Sequence, residues 1–344
     1  MKKAFLILSC AALFTCGAKA QDAQTLFQQG KAMLEQFDKL AGAQLEAQVK
    51  NPGAPDETLG ERTKLLLEGM ALLQQALPLD SIKETDKNGE YKIDKKTGLP
   101  KVKTKYSKDI VPMLVNHVAD VAGIGNAALQ AEDWANSYKA FSAYGKILES
   151  PGMGLTPTDE ARAEVGFFEG YSAYQLKDFA NAFPALKRAV DLGYTANRVN
   201  DFKNSCVANI VQGFIDNKQI GEATTYIDAL VASEPANAFN QDIKGFIVEQ
   251  DKGLAAALPY YEKAVELDPN FADAYLNIGR CLYQAAEDVI NDNPNATNSQ
   301  LAPKLVPMYE KMLPIFQKVQ QLEPDNNKAA RFIEDINYKL DLLK

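Results

Sequence analysis

The chain has 344 residues, of which 46% are hydrophobic and 24% are charged, and its formal net charge is −8. An acidic chain repels the phosphate backbone, so nucleic acid is a poor partner. The length exceeds what one compact core usually serves, which leaves two globular domains or an elongated array of repeats.

The first 20 residues have the pattern of an export signal. Two lysines precede an apolar stretch at residues 4–14, and the small residues of Ala18-Lys19-Ala20 come before Gln21. We therefore predict a signal peptide at residues 1–20, a mature chain that begins at Gln21 and a periplasmic location.

The same segment bears on membrane attachment. Its apolar stretch is shorter than the roughly 20 residues that a transmembrane helix needs, and no later segment stays apolar long enough. The mature chain is expected to have no transmembrane helix, although peripheral association with the envelope stays open. A lipid anchor at Cys16 is the less favoured alternative, because Thr15 stands where bacterial lipoprotein signals usually carry Gly, Ala or Ser.

Most of the remaining chain has the pattern of α-helices. Apolar residues recur at intervals of three and four, and Ala, Leu, Glu, Lys and Gln fill the intervals. Residues 22–49 and 56–79 predict a helical hairpin, joined at a Pro- and Gly-containing turn, in an N-terminal segment at 21–82.

A basic insert follows at residues 83–107. Nine lysines lie between residues 83 and 108, against four acidic residues. Tyr91, Ile93, Val102 and Tyr106 flank a turn signal at residues 94–98, which predicts a β-hairpin or a loop. The insert is either a solvated loop or a contact for an acidic partner or lipid headgroups.

Residues 108–324 contain an internal repeat. A small residue recurs in the first helix of each unit, at Gly125, Gly170, Val211, Gly245 and Gly279, with Val211 the exception in size. Nine residues after the first four come Trp134, Phe179, Ile220 and Leu254, and three residues further come Ser137, Ala182, Ala223 and Ala257. The pattern predicts two antiparallel helices that approach closely at the small residues, and such hairpins must stack to bury their apolar faces.

The end of one second helix and the start of the next first helix carry a family resemblance. Lys263-Ala264-Val265-Glu266-Leu267-Asp268-Pro269 and Ala272-Asp273-Ala274-Tyr275-Leu276-Asn277-Ile278-Gly279 resemble the tetratricopeptide repeat. The resemblance implies an all-α fold, an α-α superhelix of about six helical hairpins. About 21 residues are inserted after Gly279, where Tyr309, Met312 and Val319 take the second-helix positions. Residues 325–344 are predicted to form a C-terminal capping helix.

The resemblance also implies where a partner binds. In this family the first helices line a concave groove. The positions carried over are Asn126, Gln130, Phe167, Tyr171, Tyr174, Gln175, Asn209, Gln212, Asp242, Phe246, Asn277, Arg280 and Tyr283. Aromatic and amide side chains suit an extended or helical protein segment. Because Arg280 is the only basic residue among them, we expect no clamp for a terminal carboxylate.

The residue inventory argues against catalysis. His117 is the only histidine and is expected to be an ordinary helix residue, while Cys206 and Cys281 are expected to be buried and too far apart for a disulfide. One histidine and two separated cysteines do not make a tetrahedral zinc site of the usual kind. The sequence therefore predicts no enzyme, no cofactor and no metal.

The predicted function is a periplasmic or cell-envelope scaffold or adaptor that binds a segment of a partner protein in the groove. The alternative is an envelope-associated glycan- or nutrient-binding accessory protein that works with an outer-membrane transport system, because aromatic side chains also stack on sugar rings.

Overall fold

The computed structural model describes residues 22–53, 55–80, 82–96, 98–149 and 155–344. The described residues divide into two compact units, unit 1, which ends at Lys203, and unit 2, Asn204–Lys344. Most of them lie in helices, so the predicted all-α fold built from helical hairpins is confirmed. The predicted signal peptide with Cys16 lies outside the described residues. Among the described helices, none is both long enough and apolar enough to cross a membrane.

Unit 1 contains three helical hairpins and the basic insert. In chain order its elements are α1 Ala23–Lys50, α2 Leu59–Leu79, β1 Ile82–Lys83, β2 Val102–Lys103, α3 Ser107–Asn116, α4 Val118–Gln130, α5 Trp134–Leu148, α6 Asp159–Gln175 and α7 Phe179–Asp191. Helices α1 and α2, α4 and α5, and α6 and α7 pack as pairs. Helix α8, Val199–Asp216, begins in unit 1 and ends in unit 2.

Unit 2 continues the helical pairs. Its further helices are α9 Ile220–Ser233, α10 Ala238–Lys252, α11 Leu254–Leu267, α12 Ala272–Asn291, α13 Asn298–Leu322 and α14 Asn327–Leu343. The inserted residues after Gly279 do not form a long loop. They lengthen α12 and α13 instead, and only six residues separate the two helices. The capping helix α14 packs on α13, with Phe332 stacked on Phe316 at 4.5 Å between ring centroids.

The turn inside three hairpins repeats one backbone conformation. Glu132, Lys177 and Lys218 have φ angles of 54°, 59° and 60°, in the left-handed region that usually favours glycine. After the first of these turns, the Asp133 N–H donates to the Ala128 carbonyl at 2.9 Å, the bond that closes a Schellman motif. The second helices therefore begin where the repeat predicts, at Trp134, Phe179 and Ile220.

The small first-helix residues make room for one large side chain each. A Cβ atom placed on Gly245 would lie 2.6 Å from the Tyr261 ring, and one on Gly279 would lie 2.5 Å from the Phe316 ring. Both rings are fully buried. The close approach of the helices expected from the repeat is confirmed, and the large partner stands later in the second helix than the residues that the sequence singled out.

The basic insert, predicted to be a β-hairpin or a loop, contains two short paired strands. Its two named strands pair antiparallel, but a middle segment bridges to both, with Thr85 opposite Tyr91 and Ile93 opposite Pro100. Two turns, rather than one, therefore reverse the chain within the insert.

Asp80 fixes the C-terminal end of the insert to the helices. Its carboxylate accepts hydrogen bonds from the backbone N–H groups of Lys105, Tyr106 and Ser107 and from the Ser107 hydroxyl, at 2.7 to 3.1 Å. Burial disfavours the charged carboxylate, but these donors, led by Ser107, lower its pKa below the ordinary value. The Tyr106 ring stacks on Phe27 at 5.0 Å. The start of α3 is therefore held against α1 and α2.

His117 lies between α3 and α4 rather than within one helix. Its Nδ1 is 2.7 Å from the Met113 carbonyl and its Nε2 is 3.2 Å from Asp38 Oδ1. The imidazole is buried and packs edge-on against Phe37. These contacts give the histidine a structural role at a helix junction.

Candidate functional site

The predicted groove residues all lie on the first helices of the hairpins. Helices α4 and α6 carry those of unit 1, and α8, α10 and α12 carry those of unit 2. The structure groups some of them into an aromatic cluster in unit 1 and others into a polar network in unit 2. It buries or covers the rest to different degrees.

The aromatic cluster of unit 1 centres on Tyr171 and Tyr174, which stand one helical turn apart on α6. Phe202, at the start of α8, packs edge-on against both rings, at 5.1 and 5.0 Å. Trp134 packs edge-on against Tyr171 at 5.7 Å, and Phe179 against Tyr174 at 5.6 Å. Edge-to-face contacts at these distances hold the rings in defined orientations.

Both tyrosines keep part of their surface open to solvent. Within the described part of the chain, neither the Tyr171 hydroxyl nor the Tyr174 hydroxyl has a hydrogen-bond partner. The two side chains therefore offer apolar ring surface together with polar groups that a ligand can engage.

Phe167 does not belong to this accessible surface. Its side chain is 4% exposed, and its ring stacks on Tyr194 at 4.8 Å and on Tyr171 at 5.8 Å. The expectation that Phe167 faces a partner is wrong, because the ring fills the space between α6 and the segment after α7.

The amide residues of unit 1 remain accessible. Asn126 and Gln130 on α4 are exposed, and Gln175 on α6 is half-buried. On α8 in unit 2, Asn209 and Gln212 are also exposed. These two amides donate hydrogen bonds within their own helix, to the Ser205 carbonyl and to Asp216, at 2.7 Å each.

The polar network of unit 2 joins α10 to α12. Asn277 donates to Asp242 Oδ1 at 2.9 Å, and Arg280 donates to Asn277 Oδ1 at 3.0 Å. Arg280 also pairs with Glu249 at 2.7 Å, and the Tyr261 hydroxyl donates to the same carboxylate at 2.8 Å. Three residues predicted from the sequence thus meet in one hydrogen-bonded chain.

The environment of the network changes the pKa of Asp242 and pairs the charge of Arg280. Burial raises the pKa of Asp242 to about 7, with Asp273 and Glu249 adding to the shift and Asn277 and Arg280 opposing it. Asp242 was predicted to be an exposed contact residue. That prediction is wrong, because Asp242 is only 8% exposed. The guanidinium of Arg280 is paired with Glu249.

The capping helix covers the last predicted position, Tyr283. The Tyr283 hydroxyl donates to Asp335 at 2.5 Å and accepts a hydrogen bond from Lys339 at 2.5 Å. Lys339 also pairs with Glu287, and Phe332 packs edge-on against the Tyr283 ring at 5.1 Å. Tyr283 therefore joins α12 to α14 inside unit 2. It is half-buried, as is Phe246, the other predicted aromatic residue of this unit.

Sequence reasoning missed two residues of these sites. Phe202 completes the aromatic cluster from the first turn of α8, ahead of the positions that the repeat pattern assigned to that helix. Glu249 holds Arg280 and Tyr261 from the last turn of α10. An apolar residue near the start of a first helix could have indicated Phe202, whereas no sequence pattern indicated Glu249.

The two cysteines are free and buried. Burial raises the pKa of Cys206 to about 12, and burial with the nearby Glu249 raises that of Cys281 to about 11. Both thiols are therefore held in the unreactive protonated form. Across the described ranges, no group of three or more His, Cys, Asp or Glu side chains is arranged to hold a metal ion.

Comparison with known proteins identifies one family. The tetratricopeptide-repeat model matches residues 260–297. A comparison with curated proteins gives no match.

Three of the solved structures that match this chain are the following. MamA (residues 41 to the end) from Desulfovibrio magneticus RS-1 is 16% identical, with 61% of this chain and 97% of that chain covered and a TM-score of 0.35. A TPR repeats protein from Bacteroides fragilis NCTC 9343 is 15% identical, with 64% and 98% covered and a TM-score of 0.35. The TPR2AB domain of yeast Sti1, in a complex with pHSP90, is 11% identical, with 93% and 98% covered and a TM-score of 0.28.

Proposed function

We propose that this chain, which belongs to the tetratricopeptide-repeat family, is a non-catalytic scaffold of the cell envelope that holds a segment of a partner protein. The observation that carries the proposal is the aromatic cluster of unit 1. Its tyrosines are fixed by neighbouring rings, are partly open to solvent and have hydroxyl groups that the described residues leave unused.

This arrangement suits the recognition of a protein segment. A tyrosine ring buries a large area at a low cost in conformational entropy, and that cost falls further when neighbouring rings already fix its orientation. A bound backbone offers N–H and C=O groups for the two hydroxyls. The exposed amides of Asn126 and Gln130 supply further donors and acceptors on α4.

The polar network of unit 2 should contribute less to the affinity for a partner. Its donors and acceptors are largely satisfied by one another, so a partner gains little by replacing them. We infer that unit 1 supplies most of the affinity for the partner.

Export is part of the proposal and rests on the signal pattern of residues 1–20. Cell fractionation should recover the chain in the envelope fraction, with Gln21 at its N-terminus, and removal of residues 1–20 should retain it in the cytoplasm. A lipid attached to Cys16 would replace free periplasmic location with a membrane anchor.

The binding role is tested by placing a photo-crosslinking amino acid at position 174 in the native host. Mass spectrometry of the crosslinked species should recover the same partner protein repeatedly. The Tyr171→Ala/Tyr174→Ala double variant should then bind the purified partner at least tenfold more weakly, because interface tyrosines are common hot spots. Tyr338→Ala is the matched control, since Tyr338 is 64% exposed on α14 and lies outside the cluster.

Two outcomes would contradict the proposal. One is the absence of any reproducible crosslinked protein. The other is full binding by the double variant, provided that its circular dichroism spectrum shows the same helical content as the parent chain. If Tyr171→Ala instead abolished binding to a glycan array, a glycan-binding accessory role would take the place of the scaffold.

A further inference from the structure

We propose that the basic insert is a docking surface for an anionic lipid bilayer, with Tyr91, Ile93 and Val102 entering the interface and the surrounding lysines contacting the headgroups. This surface is separate from the aromatic cluster on α6, and it does not depend on the proposed partner.

The backbone of the insert closes into a ring of three segments. The Glu84 N–H donates to the Lys101 carbonyl at 2.8 Å, the Lys101 N–H to the Lys92 carbonyl at 2.7 Å, and the Lys92 N–H to the Glu84 carbonyl at 2.9 Å. Each segment therefore pairs with both of the others. No flat two-stranded hairpin has this arrangement.

The ring determines which side chains share a face. Side chains alternate along an extended segment, so the residues on either side of Glu84, Lys92 and Lys101 point to the opposite face from these three. Directly paired residues also share a face. Both rules assign one set of residues to a single face, which we call the triangular face: Lys83, Thr85, Tyr91, Ile93, Pro100 and Val102.

The triangular face is apolar and open to solvent. Tyr91, Ile93 and Val102 are 55%, 51% and 52% exposed. Among the described residues between 83 and 105, none is buried, so the helices of unit 1 do not cover the insert. Exposed apolar side chains that are grouped on one face indicate an interaction surface.

The charge around this face is positive. Residues 83–107 contain eight lysines and four acidic residues, a net charge of +4 in a chain whose total is −8. Three of the acids are engaged inside the insert. Glu84 lies 3.5 Å from the Lys92 ammonium, and Asp86 and Asp94 accept hydrogen bonds from backbone N–H groups of their own turns.

Some of the insert's lysines lie on the triangular face or in the two turns beside it. Lys83 lies on the triangular face, with its ammonium 5.2 Å from the centre of the Tyr91 ring. Lys87 lies in one turn and Lys95 and Lys96 lie in the other, and all three are exposed. Long lysine side chains keep their charge at the headgroups while apolar neighbours go deeper, and tyrosine favours the same interface.

These features favour a lipid surface over an acidic protein. The side chains that give most of the energy in protein interfaces usually sit in well-packed pockets, which the open triangular face does not provide. A bilayer needs no pocket, because apolar side chains enter its interface while flexible ammonium groups attract anionic headgroups without fixed geometry.

The test uses the chain from Gln21 onward, which contains every described element and lacks the apolar stretch of residues 4–14. Binding is measured by cosedimentation with vesicles of phosphatidylcholine alone and with vesicles that also contain phosphatidylglycerol. We expect binding to the anionic vesicles only, with a loss at raised salt because screening weakens the lysine contacts.

Two paired variants separate the apolar and basic parts. Ile93→Thr/Val102→Thr keeps β-branched side chains and should weaken binding about tenfold. Lys95→Gln/Lys96→Gln should weaken it about 25-fold, since each lysine near an anionic surface contributes about fivefold. The controls are Leu342→Thr, at an exposed apolar residue of α14, and Lys39→Gln, at an exposed lysine of α1.

Three results would overturn the proposal. The first is no binding to anionic vesicles, and the second is equal binding to neutral vesicles. The third is an equal loss in the variants and in their controls. If vesicles failed but a crosslinker at position 93 captured one acidic protein reproducibly, the insert would be a protein contact instead.

Discussion

Replacement of Gly279 by alanine should destabilise unit 2, although alanine forms helices better than glycine. A Cβ atom at this position would lie 2.5 and 2.6 Å from two carbons of the Phe316 ring, which is fully buried and stacked on Phe332. Overpacking of this kind costs about 1–3 kcal/mol, and the better helix propensity returns at most about 1 kcal/mol. We expect a net loss of about 1–2 kcal/mol in the free energy of unfolding.

Gly213→Ala is the matched comparison. Gly213 lies inside α8 in the same unit, and no other side chain or distant backbone atom stands within 4 Å of the position that its Cβ would take. Here the helix propensity acts alone, so alanine should raise the free energy of unfolding by about 0.5–1 kcal/mol. The same chemical change is thus expected to act with opposite sign at two positions.

Urea unfolding followed by far-ultraviolet circular dichroism measures both effects. The combination of Gly279→Ala with Phe316→Leu should lose less than the sum of the two single variants, because the smaller side chain relieves the contact. A Gly279→Ala variant as stable as the parent chain would refute the reasoning, as would a shift of both glycine variants in the same direction.

Three further predictions concern buried carboxylates and turn strain. The pKa of Asp242 is raised from 3.8 to about 7, so its stabilising effect is complete below pH 3.8 and is lost as the pH rises through about 7. In the parent chain, the free energy of unfolding should fall by on the order of 4 kcal/mol between pH 4 and 8, and the Asp242→Asn variant should lack this fall. Urea unfolding at each pH measures both chains. The pKa of Asp80 is lowered, so its contribution is complete above pH 3.8 and is lost at lower pH. Asp80→Ala should cost about 2–3 kcal/mol at pH 7 and less at pH 3 in the same assay, because the N–H groups around Ser107 lose their acceptor. Lys177→Gly should raise the midpoint of thermal unfolding, since glycine adopts φ of 59° without strain.

The sequence predicts the hairpin boundaries well because they depend on local chemistry. In the four regular units the second helix starts nine residues after the small first-helix position, and the turn between the helices is short. Beyond the long insertion, the spacing of the buried residues within the second helix is kept. Tyr309, Met312 and Val319 are fully buried on α13, as the repeat requires once the 21 inserted residues are counted.

The details that escaped prediction depend on contacts between distant residues. The repeat pattern does not show that Tyr261 and Phe316 fill the space over Gly245 and Gly279, because either ring could belong to another face of its helix. The three-segment ring of the insert also depends on backbone pairing across two turns. Alternation of side chains indicated strands there, but the pattern did not define which strands pair.

The groove prediction was limited by burial. A family position on a first helix can face a partner, the next hairpin or a capping element, and the residue type does not distinguish these cases. Phe167 packs on Tyr194 in unit 1, and Tyr283 binds Asp335 on the capping helix of unit 2. An aromatic side chain therefore indicates a large contact area without indicating what it contacts.

The two sets of first-helix residues perform different physical roles. In unit 2, Arg280 and Asp242 have partners on α10 and α12, so a ligand would have to break internal hydrogen bonds before it gained new ones. In unit 1, Tyr171 and Tyr174 lose only water when a ligand covers them. Desolvation of an unused hydroxyl is offset by one new hydrogen bond. Breaking the Arg280–Glu249 pair would instead leave the largely buried Glu249 carboxylate without its charged partner, so affinity should come mainly from unit 1. Variation of the network residues should then alter the stability of unit 2 more than it alters partner binding.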